Sequence, residues 1–256
     1  MTMHVFLSPH FDDAVYSCGG LIHQLTAADK SVKIVTVMAG DIPEQVPDTP
    51  LVRELHARWQ AGTDPISTRR REDEAAAEVL KAGMRHMDLP DCVYRMSDAG
   101  ALYPDGDEDI FGPIKEDDPA KTILATTPIP YADCATHIYA PMAIGNHVDH
   151  VLVRDWALTH ANTHALTLYA DYPYSSQPAT ITTTLANIAD NYQLEDQLIT
   201  LSDANFEAKF AAALCYRSQV STFWQDETAL RARVRASLVK DDQPHAEYFY
   251  RTERKT

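Results

Sequence analysis

The chain has 256 residues, 45% of them hydrophobic, and a formal net charge of −15, which suits one α/β domain over residues 1–256 with a sizeable core. That acidic balance opposes a phosphate backbone or an anionic membrane surface, so nucleic acid is excluded as a partner. No apolar run approaches the ~18 residues of a membrane span, and Met1-Thr2-Met3-His4 lacks the basic start and apolar core of a secretory signal, so a cytoplasmic protein without a membrane span is expected.

His4 to Ser8 is short and apolar and ends in a turn, which predicts a buried first strand. Gly19 to Ala28, with Leu21, Ile22 and Leu25 on one face, predicts a helix, and the β-branched run Val32 to Met38 a second strand. This βαβ opening favours a mostly parallel sheet flanked by helices. Residues 40–67 carry Pro43, Pro47, Pro50 and Pro65 and predict a functional loop or lid, with a short helix over Val52 to Gln60. Thr68 to Leu80 predicts a helix stopped by Gly83, and Met84 to Leu89 a third strand.

Residues 91–119 show weak periodicity. Their acidic run Asp105-Gly106-Asp107-Glu108-Asp109 lacks the later glutamate of a calcium loop and predicts a solvated surface segment. His137 to Pro141 predicts a strand, Val151 to Ala161 a helix and Leu166 to Asp171 the next strand. Ile181 to Asp190, Leu194 to Leu201 and Asp203 to Tyr216 continue as helix, strand and helix. Cys18, Cys92, Cys134 and Cys215 have no CxxC spacing and read as reduced buried thiols.

Two motifs carry chemistry. Ser8-Pro9-His10-Phe11-Asp12-Asp13 follows the first strand, and Asn146-His147-Val148-Asp149-His150 follows a later one. In parallel sheets ligands bind beyond the carboxyl ends of the strands, so both motifs are expected on one edge. Two imidazoles and a carboxylate bind zinc while leaving a position open for water. Dividing the groups by chemistry assigns His10, Asp13 and His150 as metal ligands and Asp12 as general base. His147 is then placed facing the substrate carbonyl, with Asp149 hydrogen-bonded to it and fixing its tautomer. The alternative for each motif is a polar helix cap without a ligand role. A dinucleotide enzyme is excluded, since G-x-G-x-x-G is absent and Asp12-Asp13 would repel a pyrophosphate.

The motifs His10-Phe11-Asp12-Asp13 and His147-Val148-Asp149-His150 resemble those of the PIG-L/LmbE family of zinc-dependent N-deacetylases. The likeness extends to Cys18-Gly19-Gly20, Arg69 to Asp73, Leu89-Pro90-Asp91, Tyr169 to Tyr174 and Tyr216 to Gln219. It implies a Rossmann-like (LmbE-like) α/β fold and the same ligand and base roles. It also implies substrate contact by Arg69, with Arg71 as the competing alignment, and by Asp91. Tyr169 and Asp171 either line the sugar pocket or, for the tyrosine, pack with the hydroxyl bonded. Phe11 stands where many members have proline and Ala14 where many have glutamate, departures that bear on the substrate subgroup.

The implied activity is zinc-dependent removal of an N-acetyl group from an amino sugar or glycoconjugate, a small-molecule partner. The alternatives are an amidase acting on a thiol conjugate or other secondary-metabolite amide, and a noncatalytic metal-binding relic. Another divalent transition metal could also occupy such a donor set.

Overall fold

In the computed structural model β1 (Met3–Ser8) leads into α1 (Asp13–Ala27), then β2 (Ser31–Thr36), α2 (Pro50–Trp59), α3 (Pro65–Val79) and β3 (Gly83–His86). Two short strands, β4 (Met96–Ser97) and β5 (Gly100–Ala101), precede α4 (Asp107–Ile110), α5 (Pro119–Thr126), β6 (Thr136–Pro141), α6 (Val148–Leu158) and β7 (Ala165–Tyr169). The chain closes with α7 (Pro178–Ala189), β8 (Tyr192–Thr200), α8 (Asp203–Ala213), α9 (Glu227–Ser237) and β9 (Ala246–Arg254). The described residues are 2–59, 64–133, 136–176, 178–219, 226–237 and 245–255; Cys134 and Gln60 lie outside them.

Among the described residues seven strands form one sheet in the order β3-β2-β1-β6-β7-β9-β8. Neighbours from β3 to β7 are parallel, whereas β9 runs antiparallel to both β7 and β8. The expected mostly parallel α/β sheet is therefore present. The chain moves from β1 outward to β2 and β3 on one side, and returns through β6 and β7 on the other. The order reverses between β1 and β6, and in open α/β sheets that reversal opens a crevice beyond the strand ends.

Alternation along the strands sorts the core into two faces. Phe6, Ile34, Tyr139, Tyr169 and Phe249 pack with Ile22 of α1, Ala76 and Ala77 of α3, and Phe206 and Phe210 of α8. Val5, Leu7, Val35, Ile138, Ala140 and Leu168 face the other way, onto Leu124 of α5 and Val153 and Trp156 of α6. Burying both faces of the central strands explains why their sequences read as continuous apolar runs.

Several element boundaries differ from the sequence expectation. α1 begins at Asp13 rather than Gly19, because Asp12 occupies its N-cap and its carbonyl accepts from Tyr16 N–H at 2.8 Å. The glycines lie inside the helix, where two other elements approach closely. The buried Glu247 of β9 accepts the N–H groups of Gly20 and Leu21, each at 2.9 Å. Lys209 of α8 donates to Ser17 O at 3.2 Å and to Glu247 at 2.6 Å. A Cβ on Gly20 would sit 2.2 Å from Leu201. Likewise α6 starts at Val148 rather than Val151, with His147 as its N-cap. β9 and α9 have no counterpart among the predicted elements. No helix among the described residues is long and apolar enough to cross a membrane.

Candidate active site

The turn after β1 is built by its own polar groups. Ser8 Oγ donates to His10 O at 2.6 Å and accepts from Ala14 N–H at 2.9 Å, while Asp13 Oδ2 accepts the His10 N–H at 2.8 Å. Asp12 and Asp13 thus stand at the N-terminus of α1, where the helix dipole favours negative charge. After β6, the left-handed residues Ala143 (φ 60°), Gly145 (φ 90°) and Asn146 (φ 62°) turn the chain back into α6. Since β1 and β6 are adjacent and parallel, the two motifs meet at the point where the strand order reverses.

Their side chains converge on one atom. His10 Nδ1 and His150 Nε2 each lie 3.2 Å from Asp13 Oδ2. The outer nitrogen of each ring is held by another buried carboxylate: His10 Nε2 donates to Asp149 Oδ2 at 3.0 Å, and His150 Nδ1 to Asp171 Oδ1 at 2.7 Å. Histidines that bind metals are oriented in this way by an outer carboxylate. A tetrahedral centre with ligand bonds near 2.0 Å has edges of about 3.3 Å, close to the two separations from Asp13. The donor set and its spacing fit a divalent cation. Ligand-type atoms of His10, His147 and His150 also lie within 4.8 Å of one another. His147, however, has no outer carboxylate on its ring; its Nδ1 accepts the Asp149 backbone N–H at 3.3 Å.

Electrostatics separates the two aspartates. Burial, reinforced by the adjacent charge of Asp13, pushes the Asp12 carboxyl up to about 8 against the pull of Arg69 and His10. Burial acts in the same sense on Asp13, but His150 and the hydrogen bonds from both histidines hold it well below the usual carboxylate range. Burial would lower His150, yet Asp13 and Asp171 raise it to about 9. His147 is held well below its ordinary value by burial and by the charge of His10. With Nδ1 accepting from a backbone amide, neutral His147 carries its proton on Nε2.

A cavity of about 300 Å³ opens over this cluster, lined by His10, Asp12, His147 and His150 on its floor and by Arg69, Asp91, Phe111 and Tyr174 among its walls. Arg69 lies 4.0 Å from Asp12 Oδ1 and stacks over the Phe11 ring at 5.1 Å from its centroid. Phe11 is buried and supports that arginine from below. Arg71, the competing alignment, is exposed and bonds Thr68. Asp91 Oδ2 is 3.7 Å from His10 Nε2.

Three expected roles are corrected by the geometry. The Asp149 carboxylate does not reach His147 but grips His10, with Arg95 Nη1 at 2.6 Å from Oδ1 and the Cys92 N–H at 3.0 Å from Oδ2. Asp171 does not line the pocket. It sits buried behind His150 and accepts the Ile144 N–H at 3.1 Å with its second oxygen. Tyr169 is fully buried and donates to Leu7 O at 2.8 Å, so it is core. The acidic segment is also not merely solvated. Asp105, Asp107 and Glu108 are exposed, but Asp107 lines the cavity together with Ile110 and Phe111, and Asp109 and Asp118 are buried against Lys115 and Arg95. Of the cysteines, Cys18 and Cys92 are buried free thiols, whereas Cys215 is half-buried.

Sequence reasoning missed Arg95, Phe111 and Tyr16. An arginine four residues after Asp91 in a weakly periodic segment gives no signal of burial, and Phe111 follows an acidic run that argues for solvent. Tyr16, one turn after Asp12 on α1, was findable once the helix began at Asp13.

Residues 5–162 match the PIG-L family, described as GlcNAc-PI de-N-acetylase. A 2′-N-acetylparomamine deacetylase of Niallia circulans is 25% identical over 240 residues, covering 87% of this chain and 82% of that protein. Among solved structures, the zinc-inhibited form of teicoplanin deacetylase superposes with a TM-score of 0.77 at 26% identity, covering 99% of both chains. The deacetylase of the A40926 pseudoaglycone superposes with a TM-score of 0.72 at 26% identity, covering 100% of this chain and 98% of its own.

Proposed function

The chain belongs to the PIG-L family, and from that membership we propose that it is a zinc-dependent N-deacetylase of an N-acetylated amino sugar or its glycoconjugate. The observation that carries this reading is the convergence of His10 Nδ1 and His150 Nε2 on Asp13, with Asp12 beside them in the same cavity. The relatives named as deacetylases of 2′-N-acetylparomamine, of teicoplanin and of the A40926 pseudoaglycone support the substrate class.

His10, Asp13 and His150 would hold the metal, which when bound supplies Lewis acidity to the attacking water and the amide carbonyl. The chain's own residues account for the proton movements. Ionised Asp12, the form that the charge of a bound metal would favour, accepts a proton from water as the water oxygen adds to the acetyl carbonyl carbon. His147 Nε2–H donates to the carbonyl oxygen as it gains negative charge, a role that a neutral imidazole with Nδ1 already occupied can fill without reorganising. When the C–N bond breaks, the proton on Asp12 passes to the leaving nitrogen, and the amine and acetate are released. Arg69 and Asp91, facing the cavity on either side of the cluster, orient the sugar.

The test is amine release from a panel of N-acetylated amino sugars, aminoglycosides and glycopeptide glycosides, with metal content measured on the same preparations. Asp12→Ala should retain its metal and lose turnover. If that variant keeps most of the wild-type rate, the assignment of the base is wrong.

A further inference from the structure

Arg95 lies outside both motifs and touches neither the cavity nor the histidines, yet it is 2% exposed and wholly enclosed by protein. Its guanidinium bridges two buried carboxylates, Nη1 to Asp149 Oδ1 at 2.6 Å and Nη2 to Asp118 Oδ2 at 2.9 Å. Pro90 O accepts from Nη1 at 3.3 Å, Met38 Sδ lies 3.7 Å away and the Tyr103 ring covers one face at 5.6 Å. Asp149, 0% exposed, therefore has hydrogen bonds from His10 and the Cys92 amide on Oδ2, while Oδ1 is met by the Arg95 guanidinium as an ion pair. Without the guanidinium, a carboxylate in so dry a place has no compensating fixed charge.

We infer that Arg95 is a positioning residue that acts through Asp149 to hold His10 in the orientation in which its Nδ1 faces Asp13; this rests on the reading of His10, Asp13 and His150 as a metal site. The chain of contacts is linear, from Arg95 through Asp149 and His10 to Asp13. The planar fork is what the geometry uses, since one guanidinium spans two carboxylates that approach from different directions. A lysine ammonium keeps the charge but is a point donor on a flexible stem, and it cannot serve both at once. The 91–119 segment is thereby tied to the metal ligand, because Asp118 also accepts from Tyr103 Oη at 2.7 Å and from the Ala120 N–H at 2.9 Å at the start of α5.

The experiment is cobalt(II) binding to the full-length chain by competition with a chromophoric chelator, together with the visible absorption spectrum of the cobalt form, for wild type, R95K, D149N and R95K/D149N. R95K should bind about 10- to 100-fold more weakly, the usual cost of losing an outer partner of a ligating histidine, and should shift the cobalt bands. On the D149N background R95K should add less than about 2-fold, because its route to His10 has already been cut. Wild-type affinity and spectrum in R95K would overturn the inference. So would full multiplication of the two single effects in the double variant, which would mark Arg95 as a loop anchor alone. D149N serves where R95K does not fold: it removes the charge that Arg95 faces and that His10 Nε2 meets, so cobalt affinity 10-fold or more below wild type supports the inference, whereas affinity within 2-fold of wild type overturns it. Failure of the metal-site reading looks different, since wild-type protein and H150A would then bind cobalt equally.

Discussion

Asp171→Asn changes one buried oxygen to an amide nitrogen and almost nothing else, so its consequence for the metal site can be worked from the contacts. The carboxylate accepts from His150 Nδ1 at 2.7 Å with one oxygen and from the Ile144 N–H at 3.1 Å with the other. An asparagine has a single oxygen for these two donors. If the oxygen faces Ile144, the amide NH₂ confronts His150 Nδ1 and forces the proton onto Nε2, the nitrogen that faces Asp13. If it faces His150, two donors oppose each other at Ile144. Either arrangement forfeits a buried hydrogen bond to a charged group, worth about 1.5–3 kcal/mol. At 1.4 kcal/mol per decade this corresponds to a roughly 10- to 100-fold loss of metal affinity. Zinc competition against a chelator, with circular dichroism to show that the fold is intact, measures it. Affinity within 3-fold of wild type would refute the role given to Asp171 and favour the pocket-lining one.

Three further outcomes follow from the same contacts. His147→Ala should lower kcat by about 100- to 1,000-fold, the typical cost of one donor to a developing oxyanion, with metal content unchanged and KM within a few-fold. Tyr169→Phe removes only the hydrogen bond to Leu7 O, so it should cost about 1 kcal/mol in denaturant unfolding and leave kcat/KM within 2-fold; a large loss of activity would return this tyrosine to the pocket. Burial, with the charges of His4 and Arg251, lowers His137 to about 4. The unfolded chain therefore takes up a proton near pH 6.5 that the folded one refuses until about pH 4, and stability falls across that window by up to about 3 kcal/mol. In His137→Asn, which can keep a bond to Thr167, the stability loss between pH 7 and pH 4 should be smaller by that amount.

What the sequence revealed and what it concealed divide along physical lines. His10, Asp12 and Asp13 were legible because short-range geometry forces them together: four residues at a strand end cannot separate. The pairing with His147 and His150 was legible because strand ends in a parallel sheet share an edge. Asp171 stands at a predicted strand end, but periodicity does not show whether its carboxylate points into the cavity or behind an imidazole. Tyr169 shows the same ambiguity, resolved by its hydroxyl finding Leu7 O. Asp149 has His147 as its near neighbour in sequence, whereas in the fold its carboxylate reaches His10, 139 positions away. Arg95 leaves no sequence signal, and Glu247, though family-like, has no chemistry readable from its position, since the partners of both are set by long-range packing that no local pattern encodes.

The contact between Glu247 and the middle of α1 bears on how the gene can be cut. The matched family segment ends at residue 162, and it contains every proposed metal ligand. Yet the helix that presents Asp12 and Asp13 has its Gly20 and Leu21 amides held by Glu247 of β9, and the Ser17 carbonyl engaged from α8. A fragment trimmed to the motif-bearing portion would expose these backbone groups within its first helix, together with the cleft in which Gly20 meets Leu201. Recombination between relatives should therefore carry the segment around residue 247 with the first forty residues as a single inherited block, even though the two ends of the chain are separated by almost its entire length.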